Sequence, residues 1–271
     1  MIPKNLPQNC IIRDAHNHIF PEKIAEKATA SIGDFYGYPM CAAATGENLI
    51  AKGKEVGIET YLVCSSAVTA GQVESINDFI ASQCRLHPEF YGLAAMHPGY
   101  ADFEKELDRA LELGLHGVKL HPDFQKFNID DEAAIPMYRA MAKRGMPVLF
   151  HMGDARYDFS APERLANVMK QVPDLKVQAA HFGGHRCWDR VGCLDKGNPN
   201  LAFDTSSALY WLKKEEALGL FEHFGLEHFL YGTDFPMWDC EGELTRFLSL
   251  GLSESENRAV LGKNFAAFYT T

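Results

Sequence analysis

Eight short apolar segments recur along this chain, and helical patterns fill most of the gaps between them. The segments are Ile11–Ile19, Thr60–Ser66, Phe90–His97, Leu115–His121, Pro147–Met152, Lys176–Phe182, Asn200–Ser206 and His228–Asp234. Most are bounded by Gly, Pro or Asn, as buried parallel strands are. Between them Val73–Leu86, Asp102–Leu113, Asp130–Arg144, Pro162–Gln171 and Lys213–Phe224 carry apolar residues at three- and four-residue spacing. Pro162 suits a first helical turn, and Gly114 and Gly145 suit helix ends. Eight strands alternating with helices predict an α/β protein, a (β/α)8 TIM barrel. The 271 residues suit one such barrel, and no linker, low-complexity tract or repeat divides residues 1–271, so a single domain is expected. The longest connection, Phe20–Glu59, holds two helical pieces, Pro21–Ser31 and Glu47–Val56, around Phe35-Tyr36-Gly37-Tyr38-Pro39. It is expected to overhang the barrel mouth as a lid or as a packed surface loop.

Composition narrows the partners. A net charge of −10 argues against a broad footprint for nucleic acid or anionic membrane. No apolar run approaches the roughly 20 residues that span a bilayer, and Met1–Gln8 lacks the apolar stretch of a signal peptide. The seven cysteines are scattered without a Cys-x-x-Cys pair, which fits free thiols in a cytoplasmic protein. The expected partner is a small molecule. Nothing in the sequence demands an oligomer, and a homodimer is left open.

Polar residues collect at the carboxyl ends of the strands, the catalytic face of such barrels. His16 and His18 end the first strand, and the i, i+2 spacing lets both reach one metal ion. Asp14 lies two residues deeper, either to orient a ligand imidazole or to serve the barrel's own hydrogen bonding. His151 follows Val148-Leu149-Phe150 and reads as a third ligand. His181 is expected to polarise a substrate oxygen or shuttle a proton, with a fourth-ligand role competing. Asp234, in Tyr231-Gly232-Thr233-Asp234, is suited to bind metal and accept a proton from water. Lys119 and His121 share a face of the fourth strand. A buried lysine is costly unless paired or modified, so Lys119 is read as an N-carboxylated bridge between two metals, a clamp for a substrate carboxylate, or a salt-bridge partner. His97-Pro98 reads as a strand termination. Arg156, Arg186 and Trp188, with Tyr157, Tyr210, Trp211 and Trp238, follow the later strands and lean toward an anionic or planar substrate.

The ordered set Asp-x-His-x-His, Gly-Val-Lys-Leu-His-Pro, Val-Leu-Phe-His, His-Phe-Gly-Gly and Gly-Thr-Asp-Phe-Pro resembles the metal-dependent amidohydrolase superfamily, amidohydrolase-2 branch. Asn257–Tyr269 resembles that branch's closing helix. The resemblance implies metal ligands at His16, His18, His151 and Asp234 and a catalytic His181. It implies a divalent metal, most often zinc, and one ion per chain is preferred over two bridged by a carboxylated Lys119. The branch holds both hydrolases and non-oxidative decarboxylases of aromatic or unsaturated acids. The leading expectation is a hydrolase in which metal-activated water attacks a C–N or C–O bond of an amide, lactone or ester, with Asp234 handling the proton. Decarboxylation is the alternative, and a metal-binding protein without turnover is the minor one.

Overall fold

A computed structural model describes residues 6–270. Among the described residues there are nine parallel strands: β1 (Ile12–His18), β2 (Ile58–Cys64), β3 (Phe90–Gly92), β4 (Ala94–Ala95), β5 (Val118–Leu120), β6 (Val148–Phe150), β7 (Val177–Ala179), β8 (Leu201–Asp204) and β9 (Phe229–Leu230). They pair in the orders β1-β2-β3 and β4-β5-β6-β7-β8-β9. β3 and β4 are two halves of one barrel strand. Leu93 N–H donates back to Val63, whereas Ala94 N–H donates onward to Gly117, so pairing changes side within one residue.

The last strand returns to the first. Ala15 N–H donates to the Tyr231 carbonyl at 2.8 Å, His18 N–H to Phe235 at 2.7 Å, and Asp234 N–H to His16 at 2.9 Å. These bonds close the (β/α)8 barrel. Each of the eight expected strand regions holds a strand.

Eleven α-helices are described: α1 (Glu22–Tyr36), α2 (Gly46–Lys54), α3 (Val73–Leu86), α4 (Phe103–Glu112), α5 (Pro122–Gln125), α6 (Ile135–Lys143), α7 (Pro162–Gln171), α8 (Lys214–Phe224), α9 (Cys240–Leu248), α10 (Glu254–Arg258) and α11 (Asn264–Tyr269). α3 and α7 have the expected bounds. α6 starts at Ile135 rather than Asp130, with Pro136 in its first turn, where a missing N–H costs nothing. α1 runs five residues beyond the expected Ser31 and ends on Gly37 in the left-handed conformation, φ 72°. The closing helix is interrupted by a π-helical turn, Ala259–Lys263, between α10 and α11.

Two apolar layers result. One lies between strands and helices. The other fills the barrel with Leu62, Leu93, Leu149, Ala202 and Leu230, and Phe265 and Tyr269 of α11 plug its floor. In register, Lys119, Leu149, Gln178 and Ala202 form one interior row. Lys119 and Gln178 are fully buried polar members of that row. All seven cysteines are free. Among the described residues no helix is long and apolar enough to cross a membrane.

Candidate active site

The site sits where the strands end. His16 and His18 leave β1, and Asp234 follows β9. Their ligating atoms lie within 4.8 Å of one another. Asp234 Oδ1 is 3.3 Å from His18 Nε2 and 3.6 Å from His16 Nε2. Its other oxygen accepts from Ser207 Oγ at 2.6 Å, and Trp238 Nε1 donates to that hydroxyl at 2.9 Å. Gly232 makes the approach of this segment to β1 feasible, because a Cβ there would stand 3.2 Å from the Cβ atoms of His16 and Ser206. His181, Ser207 and Asp234 all hold a left-handed backbone, φ 60°, 55° and 59°. Such conformations cost of order 1–3 kcal/mol and persist where surrounding structure enforces them.

Asp204, at the end of β8, was not singled out in the sequence. Its carboxylate accepts from His16 Nδ1 at 3.1 Å and from Gln178 Nε2 at 2.6 Å. Burial opposes its ionisation, but His16 and other donors hold it well below the usual carboxylate range. Nδ1 of His16 therefore carries the proton, and Nε2 turns a lone pair toward Asp234. Lys119 Nζ lies 3.0 Å from that same Nε2, and burial lowers the lysine pKa. Asp14 accepts from Thr233 N–H at 2.9 Å and Thr233 Oγ1 at 2.6 Å, tying β1 to the Asp234 segment.

His151 stands one imidazole away from the His16–His18–Asp234 set and groups instead with His121 and Asp123. Its Nε2 faces the Gly153 carbonyl at 3.1 Å and Asp123 Oδ2 at 3.2 Å. Both are acceptors, so Nε2 carries the proton and Nδ1 a lone pair. His181 Nδ1 faces the Ser206 carbonyl at 3.0 Å, which likewise leaves a lone pair on its Nε2. Those two lone-pair nitrogens face each other at 3.1 Å. Burial lowers both imidazoles to about 3, so neither supplies a resident proton at neutral pH.

This donor set fits a divalent cation. His16 turns an unprotonated nitrogen toward Asp234, and His151 and His181 turn one each toward the other. Burial would raise the Asp234 carboxyl, yet the charged His18 imidazole beside it holds it ionised. Burial also opposes a charge on His18, but the Cys64 sulfur and Asp234 raise it to about 9, as an imidazole beside an uncompensated carboxylate should behave.

A cavity of about 560 Å³ opens from these residues. Its inner end is His18, Tyr36, His121, His151 and Asp234, and the rest is mainly apolar. Tyr36, from the last turn of α1, places its hydroxyl 3.0 Å from His121 Nε2 and 3.5 Å from His151 Nε2. Burial first, then Asp123, keeps that phenol protonated. The aromatic, glycine-rich run around Tyr36 predicts a loop; Gly37, which ends α1 in the left-handed conformation, is the signal that puts Tyr36 on the helix.

The remaining candidates lie around this cavity. Arg156 pairs with Asp154 at 2.8 Å and rides on the Phe35 ring at 4.4 Å. Arg186 lies over Trp211 at 4.4 Å. Both line an adjoining pocket of about 150 Å³ that shares Tyr36 and Met237 with the main cavity and includes Ser207, the donor to Asp234. Trp188 donates to the His181 carbonyl at 2.9 Å. Lys119, His181 and the two arginines are not among the residues lining the main cavity.

The amidohydrolase family model matches residues 14–271, and the chain belongs to that family of enzymes. Among solved structures it is similar to 5-carboxyvanillate decarboxylase from Sphingomonas paucimobilis, with 16% identity, TM-score 0.77, and 97% of this chain and 99% of that one covered. It is also similar to a dihydroxybenzoic acid decarboxylase from Polaromonas sp. JS666 holding manganese and 2-nitroresorcinol, with 15% identity, TM-score 0.75, and coverage of 96% and 97%. A candidate 2-pyrone-4,6-dicarboxylic acid hydrolase from Pseudomonas putida matches at 15% identity and TM-score 0.71, covering 97% and 98%. At these identities the likeness establishes the fold. No curated protein matches the chain.

Proposed function

We propose that this amidohydrolase is a metal-dependent hydrolase of an ester, lactone or amide bond in a small molecule. The observation that carries the reading is Asp234: an ionised carboxylate between two imidazoles, held by Ser207 and open to the cavity. Ionised, it is a base, which suits taking a proton from water better than giving one to carbon. His16, His18 and Asp234, with His151 beside them, would hold one divalent ion, zinc by preference. That ion would lower the pKa of water and polarise a carbonyl. Asp234 accepts the proton of the attacking water and passes it to the leaving oxygen or nitrogen. Tyr36 is the neutral donor nearest the reacting end, and it is assigned to the carbonyl oxygen. His181 turns its Nε2 lone pair toward that of His151 at 3.1 Å, so the two imidazoles are assigned to share a cation or a proton rather than to bond to each other.

Non-oxidative decarboxylation is the second reading, prompted by the manganese-holding decarboxylase among the solved relatives. It needs a cation for the substrate carboxylate; no lysine or arginine lines the main cavity, and Arg156 and Arg186 of the adjoining pocket are the groups that would serve. The deciding experiment incubates metal-loaded protein in ¹⁸O-water with panels of esters, lactones, amides and hydroxybenzoates. One ¹⁸O atom in a product acid supports hydrolysis. Carbon dioxide release without ¹⁸O incorporation contradicts it.

A further inference from the structure

The main cavity reaches well beyond the reacting end. Ile24, Ala28, Ile32 and Phe35 recur at three- to four-residue spacing, so one face of α1 looks into it. Ala25 and Thr29, on the adjacent face of α1, are buried. Ile76 and Phe79 of α3 form the facing wall. The result is an apolar cleft between two helices, closed at its inner end by the catalytic groups. At its outer end Ile24 is 50% exposed and Val68 48% exposed. Apolar side chains of this size left in a concave site mark a place for an apolar ligand group. The polar groups along the cleft are uncharged; Ser65, Ser66, Gln72 and Ser75 are the main ones.

We propose that the α1–α3 cleft holds the acyl chain of an uncharged substrate, so that the enzyme acts on medium-chain acyl esters or amides. The inference rests on the hydrolase reading for its chemistry and on the cleft for its specificity. In the reaction, the water oxygen bonds to the acyl carbon and the bond from that carbon to the leaving oxygen or nitrogen breaks. One water proton goes to the leaving group through Asp234, giving a free acid and an alcohol or amine. The cleft volume suits a chain rather than a single methyl group, and burying each methylene contributes about 0.8 kcal/mol.

The test is a series of p-nitrophenyl esters from acetyl to dodecanoyl, assayed with zinc- or manganese-loaded protein. The expected result is a kcat/KM that rises about three- to fourfold per added methylene until the cleft is full. Ala28→Trp, placed on the half-buried cavity face of α1, should abolish that rise and leave acetyl ester turnover unchanged. Ile76→Trp should do the same from the opposite wall. A flat or falling chain-length profile with good acetyl turnover overturns the proposal. If neither these esters nor the matching p-nitroanilides are hydrolysed, the hydrolase reading fails by itself, and the cleft is then read by calorimetric binding of N-methyl alkanamides. Affinity that grows with chain length in wild type and not in Ala28→Trp supports the chain site. Absence of such growth, or binding of hydroxybenzoates alone, overturns it.

Discussion

Asp204 and His16 form a fully buried pair in which the carboxylate accepts from Nδ1 at 3.1 Å. The same carboxylate accepts from Gln178, whose Oε1 accepts from the Tyr269 hydroxyl at 2.5 Å. A chain of hydrogen bonds thus runs from the helix that plugs the barrel floor to the imidazole at its mouth. It fixes which His16 nitrogen faces Asp234. Replacing Asp204 by Asn should weaken divalent metal binding about 10- to 100-fold with the fold retained. Competition against a fluorescent chelator, with circular dichroism as the control, measures this.

Tyr269→Phe removes the donor to Gln178 Oε1 and leaves a buried acceptor unsatisfied. It should cost about 1–3 kcal/mol of stability in urea unfolding, because the lost bond lies inside the barrel. Metal affinity should fall much less than in Asp204→Asn. Equal losses of metal in both variants would argue against the directional chain.

Most of the architecture was legible because buried parallel strands are short apolar runs, and each of the eight runs holds one. His16, His18 and Asp234 were legible for a related reason: a polar side chain directly after such a run has to sit at the barrel rim. Asp204 obeys the same rule, following Leu201-Ala202-Phe203, but lacked a histidine to draw notice. Tyr36 was hidden by its neighbours, since an aromatic, glycine-rich stretch reads as loop until Gly37 is seen as a helix cap. The positions of Arg156 and Arg186 were not legible. Loop direction is set by tertiary partners, here Asp154, Phe35 and Trp211, which sequence spacing does not encode.

Tyr36→Phe should lower kcat about 10²- to 10³-fold, the usual cost of one donor to a developing oxyanion. Its metal content should match wild type, because the hydroxyl is assigned to the substrate oxygen. Turnover near the wild-type level would move that role to another donor.

The metal-free protein should become less stable as pH falls from about 6 to 5. Burial lowers His16, His151, His181 and His185 to about 4, 3, 3 and 4, and lowers His121 as well. The unfolded chain takes up protons on these five imidazoles below its ordinary histidine pKa, and the folded chain does not, so acid favours unfolding. Asp14, Asp123 and Glu243, raised by burial to about 7, 7 and 8, act oppositely, since they are protonated only when folded in this range. Five imidazoles outweigh three carboxyls. His18, raised to about 9, is charged in both states here, and its contribution is lost only as pH rises toward 9. Urea midpoints at pH 5 and 6 check the sign, the lower value being expected at pH 5.

The most direct test of the account is the metal content of protein purified after growth with added zinc and manganese. Wild type is predicted to hold one divalent ion per chain, and Asp234→Ala, folded by circular dichroism, none. A wild-type protein without any bound ion under these conditions would contradict the metal-dependent mechanism at its root.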